Sequence, residues 1–138
     1  MIYSSLCENR EIIKKLKELG FPQVGGLTGS YVDTRYQNQV YNYDPKEEEL
    51  KYLNYEPLYS EILDWMMDEL GLNFFIRSRN KDSQITWEYE VWIIETGNLI
   101  CAGGDISDEI KALKEGISAV IEIKIKEFKI KSRIIEKA

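Results

Sequence analysis

From residue 85 to 94 the chain alternates with a period of two. Ile85, Trp87, Tyr89, Val91 and Ile93 fall on one side, and Thr86, Glu88, Glu90, Trp92 and Ile94 on the other. Successive side chains of a strand point to opposite faces, so this run commits the chain to a sheet with a covered face. The second face is polar at one end and apolar at the other, which leaves part of it for a helix to cover. A strand over residues 74–79, a turn over 80–83, the long strand over 85–95 and a short strand over 99–102 complete an antiparallel meander, with Thr96-Gly97-Asn98 turning between the last two.

Helical signals surround this meander. Ser5-Leu6-Cys7-Glu8 has the form of a capping box, and Leu6, Ile12, Ile13, Leu16 and Leu19 make the stripe of a first helix. Gly20 supplies its left-handed exit, Phe21 folds back on Leu16, and Pro22 forbids continuation. Pro57 suits the first position of a second helix, whose apolar face is Leu58, Ile62, Trp65 and Met66. Its ending, Glu69-Leu70-Gly71-Leu72, repeats the solution at Glu18-Leu19-Gly20-Phe21. Gly103-Gly104-Asp105 leads into a third helix, with Asp105 as its cap and a stripe of Ile106, Ile110, Leu113, Ile117 and Ile121. That helix is expected to about residue 122. Beyond it Ile121, Ile123 and Ile125 alternate like a strand while Ile121, Ile125 and Phe128 keep helical spacing, so strand and helical tail stay open, and residues 132–138 are expected to fray.

The fold class expected is α+β: an antiparallel sheet of about four strands packed with three helices, in the order α-β-α-β-β-β-α, as a single domain over 1–138. The least regular part is 23–56. It opens with Gly25, Gly26 and Gly29, and the stretch to the second helix holds Tyr31, Tyr36, Tyr41, Tyr43, Tyr52, Tyr55 and Tyr59. Tyrosine, valine and threonine there suit one or two strands over 31–43. Asp44-Pro45 with Glu47, Glu48 and Glu49 reads as a turn and a short helical piece on the surface.

The net charge of −6 is local: residues 44–69 carry nine acids and two bases, whereas the rest of the chain is nearly balanced. Binding a long nucleic acid needs a basic stripe, and the one candidate is 124–137, with six bases and two acids. Long nucleic acid is therefore not an expected partner, although one small anion needs only one or two arginines. No apolar run approaches a membrane span, and the first twenty residues are charged and helical, unlike a signal peptide. Cys7 and Cys101 show no metal-type spacing and read as reduced thiols. A cytoplasmic protein without a membrane partner is expected. The basic, isoleucine-rich tail would allow a homo-oligomer.

The string Lys15-Leu16-Lys17-Glu18-Leu19-Gly20-Phe21-Pro22-Gln23, the tyrosine-rich strand material, Leu63-Asp64-Trp65, the strand pair around Trp87–Trp92 and the last amphipathic helix together have a resemblance. Over residues 5–122 the chain resembles small hypothetical proteins of bacteriophage and prophage genomes, some grouped as α/β/α sandwiches. The resemblance implies a phage origin, and hence a host cytoplasm. It transfers no catalytic residue.

The chain contains no histidine, which removes imidazole-based triads, histidine acid–base catalysis and His-ligated zinc. Carboxylate chemistry remains. Asp44 with Glu47–Glu49 offers a hard-cation site against a solvated acidic surface, and Glu88 with Glu90 a carboxylate pair against the wet face of a sheet. The glycine-rich loop 24–30 has hydroxyls that could cradle phosphate but lacks the P-loop lysine. The fullest constellation joins Gly25, Gly26, Thr28, Ser30, Tyr31, Arg35, Tyr36 and Tyr43 with Arg77, Arg79 and Trp92. Aromatic rings and guanidinium groups can hold a nucleotide-sized anion, form a protein-binding patch, or simply pack across strands. The expectation is a non-catalytic binder, without cofactor or metal, that captures a host-defence factor: a small signalling nucleotide or a host protein. The alternative is a carboxylate-dependent, metal-assisted enzyme acting on a nucleotide.

Overall fold

The structure, a computed structural model, describes residues 2–41 and 44–137. The chain is α+β and divides into two compact units, Met1–Trp65 and Met66–Ala138. Each holds one three-stranded antiparallel sheet, so among the described residues six strands form two small sheets instead of one sheet of about four.

In unit 1, helix α1 (Arg10–Glu18) begins at Asn9, whose side chain accepts the Ile12 N–H at 3.1 Å. The expected cap at Ser5 is corrected here. Residues 5–7 run beside 57–59 instead, with Leu6 bridged to Leu58, the Cys7 N–H donating to the Pro57 carbonyl and the Tyr59 N–H to that of Ser5. Backbone already committed to a neighbouring segment cannot open a helix. The exit of α1 is as expected. Gly20 takes φ +93°, and the N–H groups of Phe21 and Gly20 reach back to Leu16 and Lys17, which satisfies the last carbonyls of the helix. Ile12, Ile13 and Leu16 form its buried face.

The sheet of unit 1 has the order β2-β1-β3, with β1 (Tyr31–Asp33), β2 (Asn38–Val40) and β3 (Leu53–Tyr55). A 3-10 helix (Glu47–Tyr52) leads into β3. Strands of three residues make few ladder bonds, and side chains add the rest. Lys17 Nζ donates to the carbonyls of Leu50 and Leu53 at 2.7 and 2.8 Å, and Gln23 accepts the Tyr55 N–H at 2.9 Å. The buried polar residues Ser30, Asp33, Asn54 and Glu56 all belong to this unit.

Helix α2 (Tyr59–Leu70) starts two residues after Pro57. Glu61 at its third position accepts the N–H of Leu58, at 2.9 Å, the returning half of a capping box. Gly71, at φ +65°, ends it.

In unit 2, β4 (Leu72–Lys81), β5 (Gln84–Ile93) and β6 (Leu99–Ile106) form the meander. Asp82 and Ser83 make a two-residue turn with both φ angles positive, 51° and 67°, the twist that a tight hairpin needs. Tyr89 and Val91 of β5 are buried, as the alternation requires. β6 is longer than expected, since Gly103-Gly104-Asp105 lies inside the strand and does not lead into a helix. Its register against β5 shifts twice, between the Trp87 and Tyr89 pairs and between the Val91 and Trp92 pairs. Asp105, at φ +55°, sits at the first shift, and Gly103 leaves room for the Tyr89 ring, which a Cβ there would meet at 2.5 Å.

Helix α3 (Glu109–Lys137) is capped by Asp108, which accepts the Lys111 N–H at 2.8 Å, so the expected cap at Asp105 is also corrected. It stays helical well past residue 122, which settles the choice between strand and helical tail. Leu113, Ile117, Val120 and Ile121 are buried with Leu72, Val91 and Ile106 in the core of unit 2. Among the described residues, no helix is long and apolar enough to cross a membrane.

Candidate functional site

A cavity of about 310 Å³ opens in unit 1 between loop 22–27 and the start of α2. Its walls include Phe21, Tyr55 and Trp65, and two carboxylate residues, Glu61 and Asp64, complete the lining. Phe21 meets Trp65 edge-on at 5.3 Å and stacks with Tyr55 at 6.4 Å. Exposed Val24 and Leu27 contribute apolar surface from the loop. None of the lining residues is basic.

The chain builds this cavity from three local features. The helix stop at Gly20 delivers Phe21 to it. Gly26 is there because the Tyr55 ring lies against it: a Cβ would stand 2.1 Å from the ring. Tyr55, from β3, donates its hydroxyl to Glu61 at 2.8 Å and accepts the Thr28 N–H at 3.1 Å. Glu61 also accepts the Leu27 N–H at 3.3 Å, so one carboxylate joins the helix start, the loop and the strand. Burial, with smaller contributions from the Glu61 hydrogen bond and charge, raises the Tyr55 phenol above its usual range. Asp64, one turn further along α2, is exposed.

The residues singled out in the sequence separate into four groups. Gly25 and Gly26 line the cavity. Thr28, Ser30 and Tyr31 serve the interior of unit 1. Thr28 donates to the Glu56 carbonyl at 2.7 Å, Ser30 donates to the buried Glu56 carboxylate at 2.9 Å, and Tyr31 donates to the Gln23 carbonyl at 2.8 Å. In the hairpin between β1 and β2, the Arg35 fork grips Asp33 at 3.1 and 3.0 Å and lies 4.5 Å over the Tyr52 ring and 5.4 Å from that of Tyr36. Arg35 thereby holds the Asp33 carboxyl below the usual range. Tyr36 is 72% exposed. Tyr43 lies outside the described residues.

The fourth group is in unit 2, on one face of the sheet. Arg77 bonds Glu88 and Glu90, Arg79 bonds Glu88 at 2.8 Å, and Trp92 donates its indole N–H to Glu90 at 3.0 Å. Hydrogen bonds from Arg79 and Arg77 lower the Glu88 carboxyl from its usual range. Arg35, Arg77 and Arg79 are therefore each engaged by a carboxylate of the same unit, and an anion would have to displace it.

Three residues that matter at the cavity were not singled out as site residues in the sequence: Trp65 was read as part of an apolar helix face, Asp64 only as part of the Leu63-Asp64-Trp65 string, and Glu61 not at all. The available signal was a Pro-led helix with a glutamate at its third position and an aspartate one turn on. Among the described residues, no three Cys, Asp or Glu side chains gather into a group that could hold a metal ion. Comparison with known protein families, with curated proteins and with solved structures finds no match.

Proposed function

We propose that the protein is a non-catalytic, phage-type binding protein that captures a host protein stoichiometrically, with the cavity of unit 1 as its anchor socket. One observation carries this reading: an aromatic-walled cavity lined by two carboxylates and by no base. A space of about 310 Å³ accommodates one side chain. Rings attract a cation through their negative faces, most strongly for tryptophan, and an exposed aspartate adds an opposite charge. The chemistry fits a lysine or arginine of a partner, with its apolar stem along Phe21 and Trp65 and its charge toward Asp64. A nucleotide phosphate would meet only negative charge there. Anchors of this kind, one buried residue in a pocket, carry much of the affinity of protein interfaces.

Thermal melting with short arginine or lysine peptides, set beside a nucleotide panel, tests the reading. A ligand at about a hundred times its Kd stabilises by about 2.7 kcal/mol. The basic peptides should raise the melting temperature and be recovered unchanged, and Asp64→Asn should remove the effect while leaving the unliganded melting temperature unaltered. Stabilisation by nucleotides that survives Asp64→Asn, or metal-dependent conversion of a nucleotide, would overturn it, the latter in favour of a carboxylate-dependent enzyme.

A further inference from the structure

Burial along α3 stops at Ile121: no residue from 122 to 134 is fully buried. This stretch is nevertheless not a solvated polar helix. Phe128 is 60% exposed, Ile130 56% and Ile134 62%. With about 100° of turn per residue, Phe128 continues the direction of Ile121 and Ile125, whereas Ile130 and Ile134 lie with Ile123 on the opposite side. Basic residues fill the space between these two apolar stripes. Residues 122–134 contain Lys124, Lys126, Lys129, Lys131 and Arg133 against Glu122 and Glu127, and Lys124 is paired with Glu127 at 3.2 Å.

Each property of the segment narrows what can cover it. Two opposed apolar stripes do not suit a helix lying on a lipid surface, which keeps a single apolar face. The acidic excess at residues 44–69 of the same chain also disfavours an anionic membrane or a nucleic acid. Two such segments side by side would set bases against bases. What the segment needs is an acidic surface with some apolar area, and this chain carries one. Residues 44–49 hold Asp44, Glu47, Glu48 and Glu49 against Lys46. Asp44, Glu47 and Glu48 are exposed, and so is Tyr41 just before them.

We propose that segment 122–134 of α3 docks on the acidic segment 44–49 of a second copy of this chain, and reciprocally, so that two copies form a closed dimer. A two-fold arrangement uses both contacts at once and leaves neither segment free to propagate a filament. The thirteen-residue helical segment is about 20 Å long, and it presents its exposed apolar side chains together with its charges. The contact is electrostatic at its edges, so it weakens with salt.

Sedimentation equilibrium of the full chain reads this directly. A dimer is expected at low ionic strength, with association at least about tenfold weaker near 1 M salt. The triple variant Lys126→Glu/Lys129→Glu/Arg133→Glu and the double variant Glu47→Lys/Glu48→Lys should each be monomeric and keep the wild-type circular dichroism, because all five positions are exposed. An equimolar mixture of the two should recover the dimer, since each reversed tail then meets a reversed acceptor. A monomer at every concentration, a dimer indifferent to either reversal, or a mixture that fails to reassociate would overturn the proposal. A monomer that cosediments with phosphatidylserine vesicles would overturn it in favour of a lipid surface.

Discussion

Unit 1 and unit 2 each contain one three-stranded antiparallel sheet, but they hold it together by different means. The strands of unit 1 have three residues each, and those of unit 2 have eight to ten. A long strand pair specifies itself through its ladder and one apolar face. Strands of three residues cannot, and unit 1 supplements them with Lys17 on two carbonyls, Gln23 on Tyr55 and the Ser30–Glu56 pair inside the core. Polar groups in unit 2 stay on the surface, in the ladder of Arg77 and Arg79 with Glu88 and Glu90. A buried polar network must be complete to be tolerated, and among the described residues no buried side-chain nitrogen or oxygen lacks a hydrogen bond. Short strands with a satisfied polar interior and long strands with an apolar one are thus two routes to a three-stranded antiparallel sheet.

Three substitutions would break or sharpen that contrast. The largest loss belongs to the apolar core of unit 2: Leu113→Ala should cost about 2–5 kcal/mol in urea unfolding, followed through Trp87 and Trp92. A loss below about 1 kcal/mol would mean that α3 does not hold its sheet through this core. Next comes Ser30→Ala in unit 1, which removes a hydroxyl from the buried Glu56 carboxylate and should cost about 1–3 kcal/mol, read through Trp65. A neutral result would show that the polar interior of unit 1 is incidental. The smallest effect belongs to the surface ladder of unit 2. Arg79→Ala should lower the melting temperature least of the three, and the difference should fade at high salt.

The ladder also has a pH signature with a definite sign. Because its guanidinium partners lower the Glu88 carboxyl in the folded chain, its contribution is present above the ordinary glutamate range. It disappears as the pH falls through the lowered value. A contribution from Arg79 that grew on acidification would contradict this geometry.

The same contrast explains which parts of the molecule could be read in advance. The alternation of β5 and the Gly20-Phe21 helix stop were legible because a single periodicity or a single left-handed residue determines them. Ser5 misled because its segment is used for a tertiary bridge to residues 57–59, which no local pattern announces. Gly103-Gly104-Asp105 looks like the approach to a helix, and the same small and left-handed residues equally suit an irregular strand that must pass the Tyr89 ring. In unit 1 the buried Ser30, Asp33, Asn54 and Glu56 produce no hydrophobic signal, so its tyrosine-rich segment resolves into strands only once their partners are known. The cavity was hidden for a related reason. Its wall is assembled from a helix stop, a glycine loop, one strand and one turn of α2; the helix stop and the glycines each stand out in the sequence, but no local pattern announces that they meet Tyr55 and α2.

The two register shifts of β6 have a consequence for how this chain can change by insertion and deletion. From Trp87 to Trp92 strand β5 advances six residues, while β6 uses the eight from Leu99 to Ile106 to cover the same distance. Each additional residue is absorbed where it occurs, with two residues of β6 set against one of β5, so Ile106 is buried opposite Trp87 despite the uneven count. Deleting one residue at either shift would make the ladder regular there and keep Ile106 opposite Trp87. Deleting Ala102, inside the regular register from Gly103 to Cys101, would turn every side chain beyond it to the other face. Single residues can therefore come and go at the two shifts of β6 and at the hairpin tip at Asp82-Ser83, but not between the shifts.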